Sequence, residues 1–266
     1  MNWLAESLAT VALCWRLERR DGVTIGLTAH DRDLVVDGLV HRAAPGMLPS
    51  AIVRSDGLEP DTMDVSGALT GAAIGEADLL VGRWDGARVS VFAVDWSGGA
   101  GRVDLGSGTI GEVAMADGGF TAELRGIAGV LDRPVAEETS AACRAELGDA
   151  RCRVAPAGRV RFVRVVASEG AVVTLDASAE GCAGGRLRWF GGANSGLEAR
   201  IAGATGPVVT LVEPPRLAVA AGALVEVTDG CDKTLATCAA RFGNAVNFRG
   251  EPHLPGIDLL TRYPGA

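Results

Sequence analysis

Along most of this chain apolar and polar residues alternate over short runs, and the runs are broken by glycine- and aspartate-containing turns. That period belongs to half-buried β-strands. VALCWRLERR and VTIGLTAH flank Asp21-Gly22, and DLVV and LVHRA flank Asp37-Gly38. Asp-Gly readily adopts the positive φ of two-residue hairpin turns, so both pairs are predicted to be β-hairpins. Short strands are predicted at Ile52 to Leu58 and Asp61 to Val65, around a Gly-Leu-Glu-Pro turn, while Ala68 to Leu80 has helical spacing and is predicted to be a helix. ARVSVFAVDW sets Val89, Val91 and Ala93 against Arg88, Ser90 and Phe92 as a strand with SGGAGR as its hairpin tip; two or three more strands follow, joined at Asp117-Gly118-Gly119. Short strands at regular spacing predict a barrel or sandwich. Residues 1–130 are assigned to a barrel-like first domain.

The character of the chain changes after residue 130. AEETSAACRAEL is rich in helix-favouring residues and is predicted to deliver Cys143 near a helix end and Cys152 just beyond it. From Arg159 strands return: RVRFVRVVASEG, AVVTLDA, GGRLRWF, LEARIAGATGPVVTLVEPP and GALVEVTDG. About six strands fit between residues 159 and 228, enough for a small barrel whose two ends meet at the flanking cysteines. Residues 131–266 are therefore a second domain with that barrel embedded in it, and the fold class is mainly β with a few short helices. Beyond the barrel, TDGCDKTLATCAARFGNAVNFRGEPHLPG, residues 228–256, ends in a run of Gly, Asn and Pro with little room for regular structure.

Composition narrows the function. At 266 residues the chain has ample apolar content to bury a core. The net charge of -8, with acids scattered along the chain, argues against a sequence-independent grip on nucleic-acid phosphates. MNWLAESLATVALCW lacks the basic n-region of a secretory signal, and no stretch reaches the roughly 18 to 20 apolar residues of a membrane span. Synthesis in the cytoplasm is the expectation. Six cysteines without a secretory signal are then thiols or metal ligands more often than disulfides.

Two of the cysteine spacings stand out. Cys143 and Cys152 have eight residues between them, Cys231 and Cys238 have six, and 78 residues separate the pairs. Ligands so far apart need the fold to converge them, yet both pairs lie at the edges of one β module in loop-rich sequence, where a metal could stand in for a core. Thiolates select zinc or iron–sulfur centres over harder metals, so the alternatives are a four-cysteine metal site or reduced structural thiols. Cys182, a possible fifth ligand candidate, precedes Gly184-Gly185 and a strand and reads, like Cys14 in the first strand, as a small buried apolar residue. His30, Asp31, Arg32 and Asp33 read as a turn whose carboxylates cap backbone N–H groups, with metal or acid–base chemistry as the alternative. His41 and His253 are isolated. A hydrolase built from Cys143 or Cys238 with His253 lacks any accompanying nucleophile signature, and GSGTIG at residues 106 to 111 lacks the spacing of a dinucleotide loop.

GCDKTLATCAARFGNAVNFRGEPHLPG closely resembles the closing segment of tail baseplate hub proteins of phage-like gene transfer agents and alphaproteobacterial prophages. CWRLERRDGVTIGLTAHDRDLVVDGLVHRA resembles their opening. The resemblance spans nearly the whole chain. It implies a non-enzymatic virion component, a homotrimeric ring below the distal tail protein ring. That ring holds the central tip or fibre-like protein and surrounds the path of the DNA. These hubs are similar to the tail-tip protein of lambda-like siphophages, which carries an iron–sulfur cluster on four cysteines. The resemblance thus implies Cys143, Cys152, Cys231 and Cys238 as ligands of a 4Fe-4S cluster, with structural zinc as the alternative. A cell-wall cysteine hydrolase or a redox protein is the rival from another class.

Overall fold

Each of the two Asp-Gly signals becomes a hairpin. In the computed structural model, which describes residues 10–43, 47–49, 62–68, 74–97, 101–116, 119–126 and 136–254, strands β1 (Val11–Glu18) and β2 (Thr24–Thr28) pair antiparallel around Asp21-Gly22. Strands β3 (Leu34–Val36) and β4 (Leu39–Arg42) do so around Asp37-Gly38, with both turn residues at positive φ. The chain divides into two compact units, residues 1–135 and 136–266.

In the first unit, β1 to β4 join β5 (Met47–Pro49), β6 (Thr62–Ala68), β7 (Arg88–Asp95), β8 (Arg102–Ala116) and β9 (Gly119–Gly126). They form one nine-stranded sheet in the order β3-β4-β2-β1-β7-β8-β9-β6-β5, with two edges where the sequence suggests a barrel or sandwich. One face buries Trp15, Leu17, Leu27, Trp84, Val89, Val91 and Phe120. Ala12, Cys14, Phe92 and Val94 form a second cluster, so the middle of β7 is apolar at successive positions, Phe92 included, and its alternation fades there. His41 is a core residue: its ring stands edge-on to Phe92, its Nδ1 hydrogen-bonds the Leu39 carbonyl at 3.1 Å, and burial pushes its pKa down. The helix expected over Ala68 to Leu80 is shorter. Ala68 ends β6, and among the described residues of that stretch the helix is Glu76–Leu80 (α1), starting after Gly75. The strand expected at Ile52 to Leu58 lies outside the described residues.

In the second unit, β10 (Val160–Glu169), β11 (Val172–Leu175), β12 (Arg186–Trp189), β13 (Glu198–Thr205), β14 (Val208–Leu211) and β15 (Leu224–Thr228) close into a barrel, order β10-β11-β14-β13-β12-β15. Inward residues Val163, Val165, Val173, Leu187, Trp189, Ile201, Val209, Val225 and Val227 fill it, each nearly or wholly removed from water. The first and last strands are neighbours, with Val160 opposite Thr228, and the Asp229 N–H continues the ladder to the Arg159 carbonyl at 2.8 Å. Closure therefore brings together the two segments that carry the cysteine pairs.

Charge divides unevenly. Residues 1–135 hold 19 Asp and Glu against 11 Arg, while residues 136–266 hold 14 acidic and 14 basic residues, so the whole net charge belongs to the first unit. Among the described residues no helix is long and apolar enough to cross a membrane.

Candidate metal centre

The segment from Ala136 to Arg153 contains helix-forming residues but no helix; it runs as turns and irregular chain. Its backbone donors go elsewhere. Cys143 N–H donates to the Lys233 carbonyl at 2.8 Å, Arg144 N–H to the Arg249 carbonyl at 2.9 Å, and Cys152 N–H to Asp149 Oδ1 at 2.6 Å. Cross-chain and turn bonds have displaced the i to i−4 ladder, which corrects the helix expected to end at Cys143. The converse holds after residue 228. Leu235–Phe242 forms helix α2, and Ala245–Asn247 a single 3-10 turn, where an irregular tail was expected. Thr234 caps α2 by accepting the Thr237 N–H, and Asp232 accepts from Thr234 N–H and from both the Thr234 and Thr237 hydroxyls. Those bonds hold the Asp232 carboxyl below the usual range, the Thr237 hydroxyl most of all.

Two segments remote in sequence are stitched together around the cysteines. Arg144 grips Glu251 with two guanidinium bonds, 2.7 and 2.8 Å, and Glu137 with a third at 3.1 Å. Glu251 also accepts the Ser140 N–H, and its own N–H donates to the Ser140 carbonyl. Arg144 thereby holds the Glu251 carboxyl down to about 2. Lys233, the single lysine in the chain, donates to the Ala145 carbonyl and pairs with Glu146 at 3.2 Å. Gly250 is required where it stands, because a Cβ there would lie 2.6 Å from the Ala142 carbonyl beside Cys143.

A second joint fixes α2 to the barrel seam. Asp229, next to Gly230 and Cys231, receives Arg159 at 3.4 Å, Arg161 at 3.0 Å and Arg241 at 2.9 Å. Arg241 also donates to the carbonyls of Gly230 and Gly181, and both Arg159 and Arg241 lie over the Phe242 ring at 4.9 Å. The Gly181–Gly185 loop presses backbone to backbone on the Cys231 segment; a Cβ on Gly230 would run into the Ala183 carbonyl.

Within this frame all four predicted cysteines are free thiols on neighbouring chain segments. Cys143, Cys152 and Cys231 are half-buried, and Cys238, on α2, is buried. Burial pushes the Cys238 thiol up, and the charges of Cys231, Cys143 and Cys152 push it further. Three sulfurs receive a donor: Cys143 Sγ from Arg249 N–H at 3.4 Å, Cys231 Sγ from Lys233 N–H at 3.4 Å, and Cys152 Sγ from Asn244 Nδ2 at 3.7 Å. Among the described residues, no three Cys, His, Asp or Glu side chains stand closely enough together to hold a metal ion as they are. The donor set itself suits a soft metal or an iron–sulfur core, being four thiols with N–H groups aimed at the sulfurs to disperse thiolate charge.

Cys182 does not join them. It is fully buried in the barrel core, with Arg161 Nη2 2.7 Å from its sulfur, and burial raises its thiol pKa. Cys14 lies buried in β1 against the Thr28 hydroxyl. His30 to Asp33 form a turn: His30 Nδ1 accepts the Arg32 N–H and Asp33 Oδ1 accepts the Ala43 N–H. His253 is exposed. Sequence reasoning missed Asn244, Lys233 and Arg249 as donors to sulfur, and the sequence gives little sign of the two backbone ones, since any residue supplies an N–H. The Gly-Asn step ending a capped helix was the available signal for Asn244.

Residues 1–155 match the family described as "Baseplate hub protein, N-terminal attachment domain", and residues 181–258 match that described as "Phage conserved hypothetical protein BR0599". One cysteine pair falls in each match. None of the curated proteins compared with this chain matches it. Among solved structures, a chain described under "Virion of native gene transfer agent (GTA) particle" is similar to it at 36% identity and TM-score 0.85, over 98% of this chain and 94% of that one. With more than half its length inside the first match, the chain belongs to the family of phage baseplate hub proteins.

Proposed function

We propose that the chain is a structural, non-enzymatic hub of a phage-like tail baseplate, built into a gene-transfer-agent type of particle, with a 4Fe-4S cluster on Cys143, Cys152, Cys231 and Cys238. The observation that carries the reading is the full-length likeness to a chain of a gene transfer agent virion, together with four free thiols on two remote segments that hydrogen bonds stitch together. In the assembled tail, three copies form a ring below the distal tail protein, hold the central tip protein and surround the DNA path. The acidic character of residues 1–135 suits that place: a wall of like charge lets a polyanion slide without gripping it.

The cluster's contribution is mechanical. When bound it cross-links Cys143 and Cys152 to Cys231 and Cys238, and its binding free energy becomes folding free energy. The protein's own residues prepare for it: Arg144, Glu251 and Lys233 register the two segments, Asp229 and Arg241 anchor α2, and backbone N–H groups steady the sulfurs.

Anaerobic purification with metal analysis tests the cofactor. Brown protein with iron and acid-labile sulfide is expected; colourless protein with one zinc would replace the cluster with zinc. Cys231→Ser is expected to leave the first unit folded, destabilise the second and give tail-less or non-infective particles. Normal particles from that variant would sink the structural role. Peptidoglycan cleavage by the purified chain would overturn the non-enzymatic assignment, and imaging of particles without a threefold hub ring would overturn the ring.

A further inference from the structure

We infer that Asn244 is a positioning residue for the four-cysteine site, holding Cys152 in place and tuning its sulfur; this rests on the metal-centre reading above. Asn244 contacts one cysteine of each pair. Its backbone N–H donates to the Cys238 carbonyl at 3.0 Å, closing the end of α2, and its side-chain Nδ2 donates to the Cys152 carbonyl at 2.6 Å and reaches Cys152 Sγ at 3.7 Å. Neighbours fix which way the amide points. Asn244 Oδ1 accepts from Asn247 Nδ2 at 2.7 Å, and the Cys152 carbonyl can only accept, so a flipped amide would set two acceptors face to face.

The donors at Cys143 and Cys231 are backbone N–H groups of Arg249 and Lys233, present whatever side chain stands there. At Cys152 the donor is a side chain. The electronic environment of one of the four sulfurs is therefore set by residue identity at position 244, and changing that residue should move the properties of the bound centre. An N–H aimed at a ligating thiolate draws off its charge, which orients the ligand and raises the reduction potential of the centre it holds.

The test uses the full chain as wild type, Asn244→Ala, the isosteric Asn244→Asp, Asn247→Ala and Glu251→Gln. Each is reconstituted anaerobically with ferrous iron and sulfide, and separately titrated with Co2+ against a chelator. Asn244→Ala and Asn244→Asp are expected to lose about 10- to 100-fold in Co2+ affinity. Their thiolate-to-metal absorption should shift, and the potential of the reconstituted centre should fall. Asn247→Ala, which frees the amide without removing it, should change in the same direction by less. Glu251→Gln loosens the same segments without touching a sulfur, so it should cost metal affinity with no shift in the absorption of the metal-bound fraction. Wild-type affinity and spectrum in both Asn244 variants would overturn the inference. So would a loss confined to folding, with the metal-bound fraction retaining the wild-type spectrum. A wild-type chain that takes up neither iron–sulfide nor Co2+ would overturn the metal reading itself.

Discussion

Replacing Asp229 with Ala removes the one carboxylate that three arginines share at the barrel seam. Its side chain is 15% exposed, and Arg159, Arg161 and Arg241 approach it at 3.4, 3.0 and 2.9 Å. A hydrogen bond to a charged group contributes roughly 1.5–3 kcal/mol when partners are sequestered, and the loss leaves like charges facing one another. The arginines, however, are about one-third open to water, which screens both the lost attraction and the new repulsion. The net cost comes to about 2–3 kcal/mol. For a unit of this size that corresponds to roughly 6–9 °C in the midpoint of thermal unfolding. Differential scanning calorimetry of the full chain measures it, with Asp229→Asn as the partner variant that keeps the shape and loses the charge. Both should lower the transition of residues 136–266 and leave that of residues 1–135 in place. A shift below about 2 °C in Asp229→Ala would mean that solvent screens the network almost completely, and that the backbone bonds of Arg241 to Gly181 and Gly230 alone hold α2 to the barrel.

Other consequences are as direct. Glu251 is held from its ordinary 4.5 down to about 2 by Arg144, so the stability it contributes is complete above pH 4.5 and is lost as pH falls toward 2; the Glu251→Gln variant should show a flatter acid-unfolding profile over that window. Cys14 and Cys182 are buried with raised thiol pKa values, so iodoacetamide at pH 8 should leave both unmodified in the native chain and label them once it is unfolded, as peptide mass spectrometry would register. Rapid native labelling of Cys182 would mean that the barrel core opens.

Strands were legible where a local rule and the tertiary structure agree. Asp21-Gly22 and Asp37-Gly38 specify their hairpins without help, and the inward Val and Leu of β10 to β15 declare the barrel because each strand has one wet face. The alternation blurs at Phe92, where both sheet faces are covered. Helices fared worse, in opposite directions. The Ala- and Glu-rich segment around Cys143 has the propensity, but the carbonyls of Lys233 and Arg249 accept the Cys143 and Arg144 N–H groups from across the fold. Thr234 to Phe242 carried a capping threonine and good helix formers, obscured by the glycines and asparagines after them. The four cysteines proposed as ligands are nominated by type and spacing alone. The groups that hold them could not be, because Arg144 with Glu251 and Asn244 with Cys152 meet across about 100 residues of intervening chain and leave no local pattern.

Closure of the barrel also shortens the path between the two cysteine-bearing segments. Joining Cys152 to Cys231 across 78 unstructured residues would carry the loop-closure entropy of a long chain. Once β10 has paired with β15, Arg159 and Asp229 are bonded neighbours, and only about nine flexible residues separate the cysteines along the shortest path. By the logarithmic law of loop closure that shortening is worth about 2 kcal/mol. The barrel thus works as a jig: closed by its own strands, it presents two short tethered arms and raises the effective concentration of their thiols for one another. A chain in which the barrel were exchanged for another closed module with adjoining ends would keep that advantage, whereas one with an open linker of equal length would lose it.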